Sequence, residues 1–176
     1  MPLTRDEIIH LLNSLNDELA TDGVTGELYV LGGAVMCLAL EARASTQDID
    51  GVFKPVSKVR AAAKRVAASA DVADDWLNDA VRGYVSAKGD FDQFLELSNL
   101  RIMTASPKYL LAMKCLAMRL GAEFHDENDV RFLLRYLDIS SYDSAVEIIS
   151  QYYPLERFPQ KTLYALEELC EELKSE

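Results

Sequence analysis

The 176-residue chain predicts an α+β protein: a small mixed sheet flanked by helices, followed by a helical C-terminal tail. Three observations carry this. Short apolar runs of strand length lie between helical patterns in the first hundred residues. Every periodic segment after residue 106 has helical rather than strand spacing. The order is therefore helix, strand, helix, strand, helix, more strands, then helices alone, which suits a head of residues 1–105 with residues 106–176 packed on it.

Taken in order, Thr4 and Glu7 have the spacing of a capping box, and Ile8, Leu12, Leu15 and Leu19 follow on one helical face. Leu28-Tyr29-Val30-Leu31 reads as a short buried strand that Gly32-Gly33 stops. Residues 34–42 look helical, and residues 48–53 form a second strand that ends at Pro55. The next helix, residues 57–70, buries Val59, Ala62, Ala63, Val66 and Ala70. Residues 76–85 fit neither pattern cleanly. Strands are expected at 94–97 and 100–103, with Ser98-Asn99 turning between them. Ser106 caps a helix with Pro107 at its first position, running to about residue 120 and stopping at Gly121. Residues 128–137, 143–152 and 160–174 complete the helical tail.

Composition narrows the class. At 49% hydrophobic and 27% charged, the chain is ordinary for a globular domain. No run approaches the roughly 20 apolar residues of a membrane span, and no signal-like segment opens the chain. A cytoplasmic protein is expected, without membrane partners. Cys37, Cys115 and Cys170 each lie in an apolar helical pattern and read as buried free thiols. His10 and His125 are too scattered for a zinc site. The net charge of −11 opposes a protein coated in nucleic acid. A local basic zone nevertheless runs through Arg43, Lys54, Lys58, Arg60, Lys64 and Arg65, while Glu167, Glu168, Glu171, Glu172 and Glu176 make the C-terminus acidic. From charge alone, a solvated helix face accounts for the basic zone better than attraction of a polyanion does.

The chemically informative stretch is Leu31-Gly32-Gly33 followed by Thr46-Gln47-Asp48-Ile49-Asp50. Alternate residues on a strand share a face, so Asp48 and Asp50 can aim both carboxylates at one point. Magnesium takes hard oxygen ligands, commonly one or two carboxylates plus substrate phosphates. Two acids so placed repel each other unless a cation intervenes. A Gly-Gly turn between strand and helix lets the backbone approach a phosphate. Without such a ligand, the same residues make a tight turn and two surface aspartates.

Gly-Gly, a helix, then Thr-x-Asp-x-Asp resembles the signature of the DNA polymerase β-like nucleotidyltransferases. Within that superfamily the chain is similar to the small prokaryotic toxin-type branch, the AbiEii abortive-infection proteins and their relatives. Leu111-Ala112-Met113-Lys114 matches a helical Leu-Ala-x-Lys motif of that branch, with Tyr109 where the branch has an acid. His125-Asp126-Glu127-Asn128-Asp129 matches its Arg-Asp-x-x-Asp motif in both acids, with His125 in place of Arg. The likeness spans roughly residues 28–135.

The resemblance implies a nucleotidyltransferase-like fold and the transfer of a nucleoside monophosphate from a nucleoside triphosphate to a hydroxyl. Magnesium or manganese would be held by Asp48 and Asp50. Gly32 and Gly33 would face the phosphates, Thr46 would help place the phosphate or the metal site, and Lys114 would meet the triphosphate as a point charge. Asp126 or Asp129 would orient Lys114 or a neighbouring polar group, or would simply favour the dipole of the helix they begin. A third carboxylate is expected from a later strand, with Glu96 ahead of Asp92 and Asp79. Arg43 either steadies the polyphosphate or favours a helix C-terminus. The acceptor is left open among transfer RNA, protein and a small hydroxyl compound, and a toxin role with an antitoxin partner follows from the family alone. Two alternatives keep the fold. One is a nucleotide-binding or regulatory relative without turnover. The other is an interaction module using the stripe Leu163, Leu166, Cys170 and Leu173, for which packing on the protein's own core is the favoured explanation. Trp76, Tyr152 and Tyr153 can stack on a base, but are expected to pack.

Overall fold

A computed structural model describes residues 1–121 and 123–176. The chain divides into two compact units: the first is Met1–Gly83 with Phe91–Ala105, the second Tyr84–Asp90 with Ser106–Glu176.

The first unit opens with β1 (Leu3–Thr4) and α1 (Arg5–Thr21). The capping box is present: Thr4 accepts from the Glu7 amide, and Glu7 accepts from the Thr4 amide at 2.7 Å. Next come β2 (Gly26–Leu31), α2 (Gly33–Leu38), β3 (Ser45–Thr46), β4 (Ile49–Lys54) and α3 (Val56–Ala70). They are followed by β5 (Leu77–Asn78), β6 (Phe91–Glu96) and β7 (Leu100–Ala105). Among the described residues these make a five-stranded mixed sheet of order β5-β4-β2-β7-β6 and a two-stranded sheet of β1 and β3. β2 is central, antiparallel to β4 and parallel to β7. The architecture is α+β with a mixed sheet, as the sequence predicts.

Side chains of β2 alternate, and that alternation fixes the layers. Leu28 and Val30 are buried with Gly26 on one face, where a Cβ at Gly26 would lie 3.1 Å from Leu19 Cδ1 and 3.3 Å from Val59 Cγ2. This face therefore packs on α1 and α3, whose apolar stripes predicted it. Ile8, Leu12, Leu15 and Leu19 are buried there, as are Val59, Ala62, Ala63 and Val66. Trp76 belongs to this unit's core, its indole N–H donating to the Ala63 carbonyl at 2.9 Å. The opposite face, with Tyr29, Asp50, Val52 and Met103, is half-buried.

α2 is shorter than expected. Glu41 takes a left-handed conformation at φ 50°, and the Ala42 amide bonds back to the Met36 carbonyl at 2.8 Å. This wraps up the helix C-terminus and sends the chain towards β3.

The second unit holds α4 (Pro107–Leu116), α5 (Asp126–Tyr136), α6 (Tyr142–Ile149) and α7 (Gln160–Lys174). Ser106 caps α4, as expected. α4 ends before residue 120 because the Arg119 amide donates to the Asp126 carboxylate at 2.8 Å rather than continuing the helix. Tyr109 to Met113 and Cys115 are all buried, so α4 is the hub on which α5, α6 and α7 pack. Tyr109 stacks on Tyr152 with centroids 5.1 Å apart, and its hydroxyl accepts from the Ser86 amide. Tyr152 and Tyr153 are buried, and the Tyr153 hydroxyl donates to the Tyr84 carbonyl. Leu163, Leu166 and Cys170 of the tail stripe are buried within this unit. All three cysteines are free and buried. No helix among the described residues is long and apolar enough to cross a membrane.

Candidate functional site

The site grows from the register of β2 on β4. Leu31, the last residue of β2, pairs with Asp50. The chain leaves β2 directly into Gly32, at φ 65° and ψ −148°, a backbone conformation essentially confined to glycine. A Cβ at Gly32 would lie 3.2 Å from Asp50 Oδ2. A Cβ at Gly33 would lie 2.8 Å from Arg43 Nη1 and 3.2 Å from Thr46 Oγ1. The Gly-Gly turn is thus walled by Asp50 at one glycine, and by Arg43 and Thr46 at the other.

Thr46 is held by β3, paired with Leu3 of β1, and is buried. Its hydroxyl donates to the Asp48 carbonyl at 3.3 Å, shaping the step into β4. Asp48 and Asp50 flank Ile49, which is fully buried, so both carboxylates lie on the side away from the core. β4 begins at Ile49, leaving Asp48 at its mouth.

The remaining neighbour comes from β5. Asn78 pairs in register with Asp50, and its Nδ2 donates to Asp48 Oδ2 at 3.0 Å. Burial pushes the Asp48 carboxyl above its ordinary value; the Asn78 hydrogen bond opposes that, and the nearby Asp75 charge adds to it. Asp48 is therefore an acid whose negative form is costly where it stands.

No family model, no curated protein and no solved structure matches this chain. The site's donor set is two carboxylates with an amide beside them, and among the described residues no group of three or more His, Cys, Asp and Glu gathers. Two carboxylates beside a side-chain-free glycine backbone fit a hard divalent cation that takes its other ligands from phosphate oxygens and water.

Glu96 is not part of this arrangement. It pairs in register with Arg101, which pairs with Glu27, which pairs with Lys54. That row lies four residues along β4 from Asp50, roughly 13 Å, and Glu96 stands three strand spacings across, about 14 Å. Its carboxylate meets Arg101 at 3.2 Å and Gln93 at 3.1 Å. Asp92 is at the correct end of the sheet, opposite Thr104, but is exposed on the edge strand. Asp79 meets Arg60 at 2.9 Å and Arg82 at 3.3 Å.

Lys114, Asp126 and Asp129 are gathered in the second unit. Lys114 Nζ lies 2.8 Å from Asp129 Oδ2, with side chains 12% and 4% exposed. Asp126 accepts from the Arg119 amide and from Arg119 Nε, both at 2.8 Å. Burial works to raise the Asp126 carboxyl, but the Arg119 hydrogen bonds and the Lys114 charge outweigh it and hold the group below its ordinary value. His125 is exposed at the start of α5 and makes no side-chain cap.

Two members of the basic zone are answered by acids of the first unit. Arg60 pairs with Asp79, and Arg65 reaches Glu18 and Asp22 at 2.6 Å each. Lys54 lies over the Tyr29 ring. Asn78 is the site residue that sequence reasoning missed. Its strand has only two residues, too short for a periodic signal, and only the pairing with β4 reveals it.

Proposed function

We propose that the chain is a divalent-cation-dependent nucleotidyltransferase, moving a nucleoside monophosphate from a nucleoside triphosphate to an acceptor hydroxyl. The observation that carries this is the closure of the Gly32-Gly33 turn on Asp50, Arg43 and Thr46. A glycine turn walled by a carboxylate and a guanidinium suits a phosphate bridged to a cation.

Asp48 and Asp50 would hold magnesium or manganese. When bound, the cation would neutralise the developing phosphate charge and act as a Lewis acid. Gly32 and Gly33 admit the phosphates close to the backbone. Arg43 offers a planar fork to phosphate oxygens. Thr46 fixes the approach to β4 through the Asp48 carbonyl. The chain's contribution is positioning and charge neutralisation, which is most of what phosphoryl transfer asks of a protein.

The nucleotidyltransferase-like fold and a cytoplasmic location are part of this reading, supported by the motif resemblance and by the buried free thiols. The acceptor is a hydroxyl of RNA, of a protein or of a small molecule. Pairing of Arg60 and Arg65 with acids weakens the local case for RNA. A toxin role with an antitoxin partner rests on the resemblance alone.

A second reading, nucleotide binding without transfer, is favoured by one observation. Tyr109, where the toxin-type branch has an acid, is wholly buried in the core of the second unit. Incubation with each α-labelled nucleoside triphosphate, magnesium or manganese, and total cell RNA and protein separates the two. Label entering RNA or protein, and lost in Asp48→Ala, supports transfer. Cation-dependent binding with no label transferred supports the second reading.

A further inference from the structure

Asn78 is held by its own network. Nδ2 donates to Asp48 Oδ2 at 3.0 Å and to the Asp75 carbonyl at 3.3 Å, and Oδ1 accepts from the Ala80 amide at 3.3 Å. These contacts fix which way the amide faces. Flipped, its oxygen would oppose a carboxylate and a carbonyl while its nitrogen faced an N–H. The β5 pairing also places Asn78 directly beside Asp50, so the residue adjoins both acids.

That position is where another strand could have delivered a third acid to the pair. A carboxylate there could donate to neither Asp48 nor Asp75. Its charge would face Asp48 at hydrogen-bonding distance. A neutral donor does the opposite: it occupies one oxygen of Asp48 and fixes the plane of its carboxylate.

We infer that Asn78 is a positioning residue, which orients the Asp48 carboxylate towards the cation by hydrogen bonding and is not itself a ligand. The inference rests on reading Asp48 and Asp50 as a cation site. The centre then has two protein acids, and the remaining ligands come from nucleotide phosphates and water. Partners that orient a ligating group are worth about 10–100-fold in metal affinity when removed.

The test is titration of the folded chain with Mn2+ alone, reading bound ion by electron paramagnetic resonance, with circular dichroism confirming the fold of each variant. Asn78→Asp is nearly the same shape but cannot donate. Positioning predicts that it weakens Mn2+ binding about ten-fold or more, although it adds a negative charge, and that Asn78→Ala weakens binding to a similar degree. Tighter binding by Asn78→Asp would overturn the inference, because the position would then be a seat for a third ligand. Unchanged binding in Asn78→Ala would overturn it too. Failure of the underlying reading looks different: the wild-type chain would bind no Mn2+, or would bind it as well after Asp50→Ala.

Discussion

Asp48 of the first unit and Asp126 of the second stand in opposite surroundings. In the first, Asp48 is half-buried beside a neutral amide, and burial drives its carboxyl upward. In the second, Asp126 is wrapped by Arg119, and Asp129 is bonded to Lys114 at 2.8 Å. The second unit supplies its own cations to its acids; the Asp48 environment leaves negative charge poorly compensated. An acid whose charge is costly at the mouth of a strand is suited to an external cation. An acid paired internally holds a fold together.

The sharpest break in this comparison lies in the second unit. Asp129→Ala leaves Lys114 nearly buried without its carboxylate and is expected to cost about 3–5 kcal/mol in denaturant unfolding. Replacing both partners, Lys114→Met with Asp129→Leu, should recover most of that loss, because the pair's net contribution is small once both charges are gone. A double replacement as unstable as the single one would show that the two charges contribute more than their mutual compensation.

Next comes the glycine turn. Gly32→Ala forces a side chain into a glycine-only conformation and should cost about 1–3 kcal/mol. At Gly33→Ala the nearest atoms are the end of the Arg43 side chain and the Thr46 hydroxyl rather than backbone. Its stability should be nearly unchanged, while nucleotide affinity falls as Arg43 is displaced. Equal stability losses in the two variants would contradict this difference.

Much of this was legible in the sequence, for identifiable reasons. α1 and α3 carry long apolar stripes with 3.6-residue spacing, and α1 begins at an explicit capping box. β2 and β4 are bounded by glycine and proline. The Gly-Gly turn and the Asp-x-Asp pair are local, so their meeting needs only one strand pairing. Glu96 was misplaced because its distance from Asp50 depends on sheet order and direction, which local pattern does not encode. Asn78 was overlooked for the same reason, its strand being defined entirely by β4. The segment Tyr84–Asp90 belongs to the second unit through the bonds of Tyr84 and Ser86 to Tyr153 and Tyr109, contacts distant in sequence.

Acid stability offers a subtler contrast. Asp126 has a native value below its ordinary one. Its contribution to stability is therefore complete above the ordinary carboxylate range and is lost as the pH falls through that range to the lowered native value. Asp126→Asn should flatten the stability profile below about pH 4. A profile identical to wild type would remove Asp126 from the account.

Asp48 has the reverse sign. Its raised native value means that stability is full below the ordinary carboxylate value and is lost as the pH rises from there through the native value. Asp48→Asn keeps an acceptor for Asn78 but removes the charge, so at neutral pH its melting temperature should equal or slightly exceed that of wild type. Magnesium should stabilise wild type and not the variant. A marked loss of stability in Asp48→Asn would show that the charge serves the fold.

The central claim, that Asp48, Asp50 and the glycine turn form a cation and nucleotide site, is tested most directly by calorimetric titration of each nucleoside triphosphate with and without Mn2+. The account predicts binding of at least one nucleotide that requires the cation and disappears in Asp50→Ala. Binding indifferent to both the cation and Asp50, or no binding of any of the nucleotides by the folded protein, would contradict it.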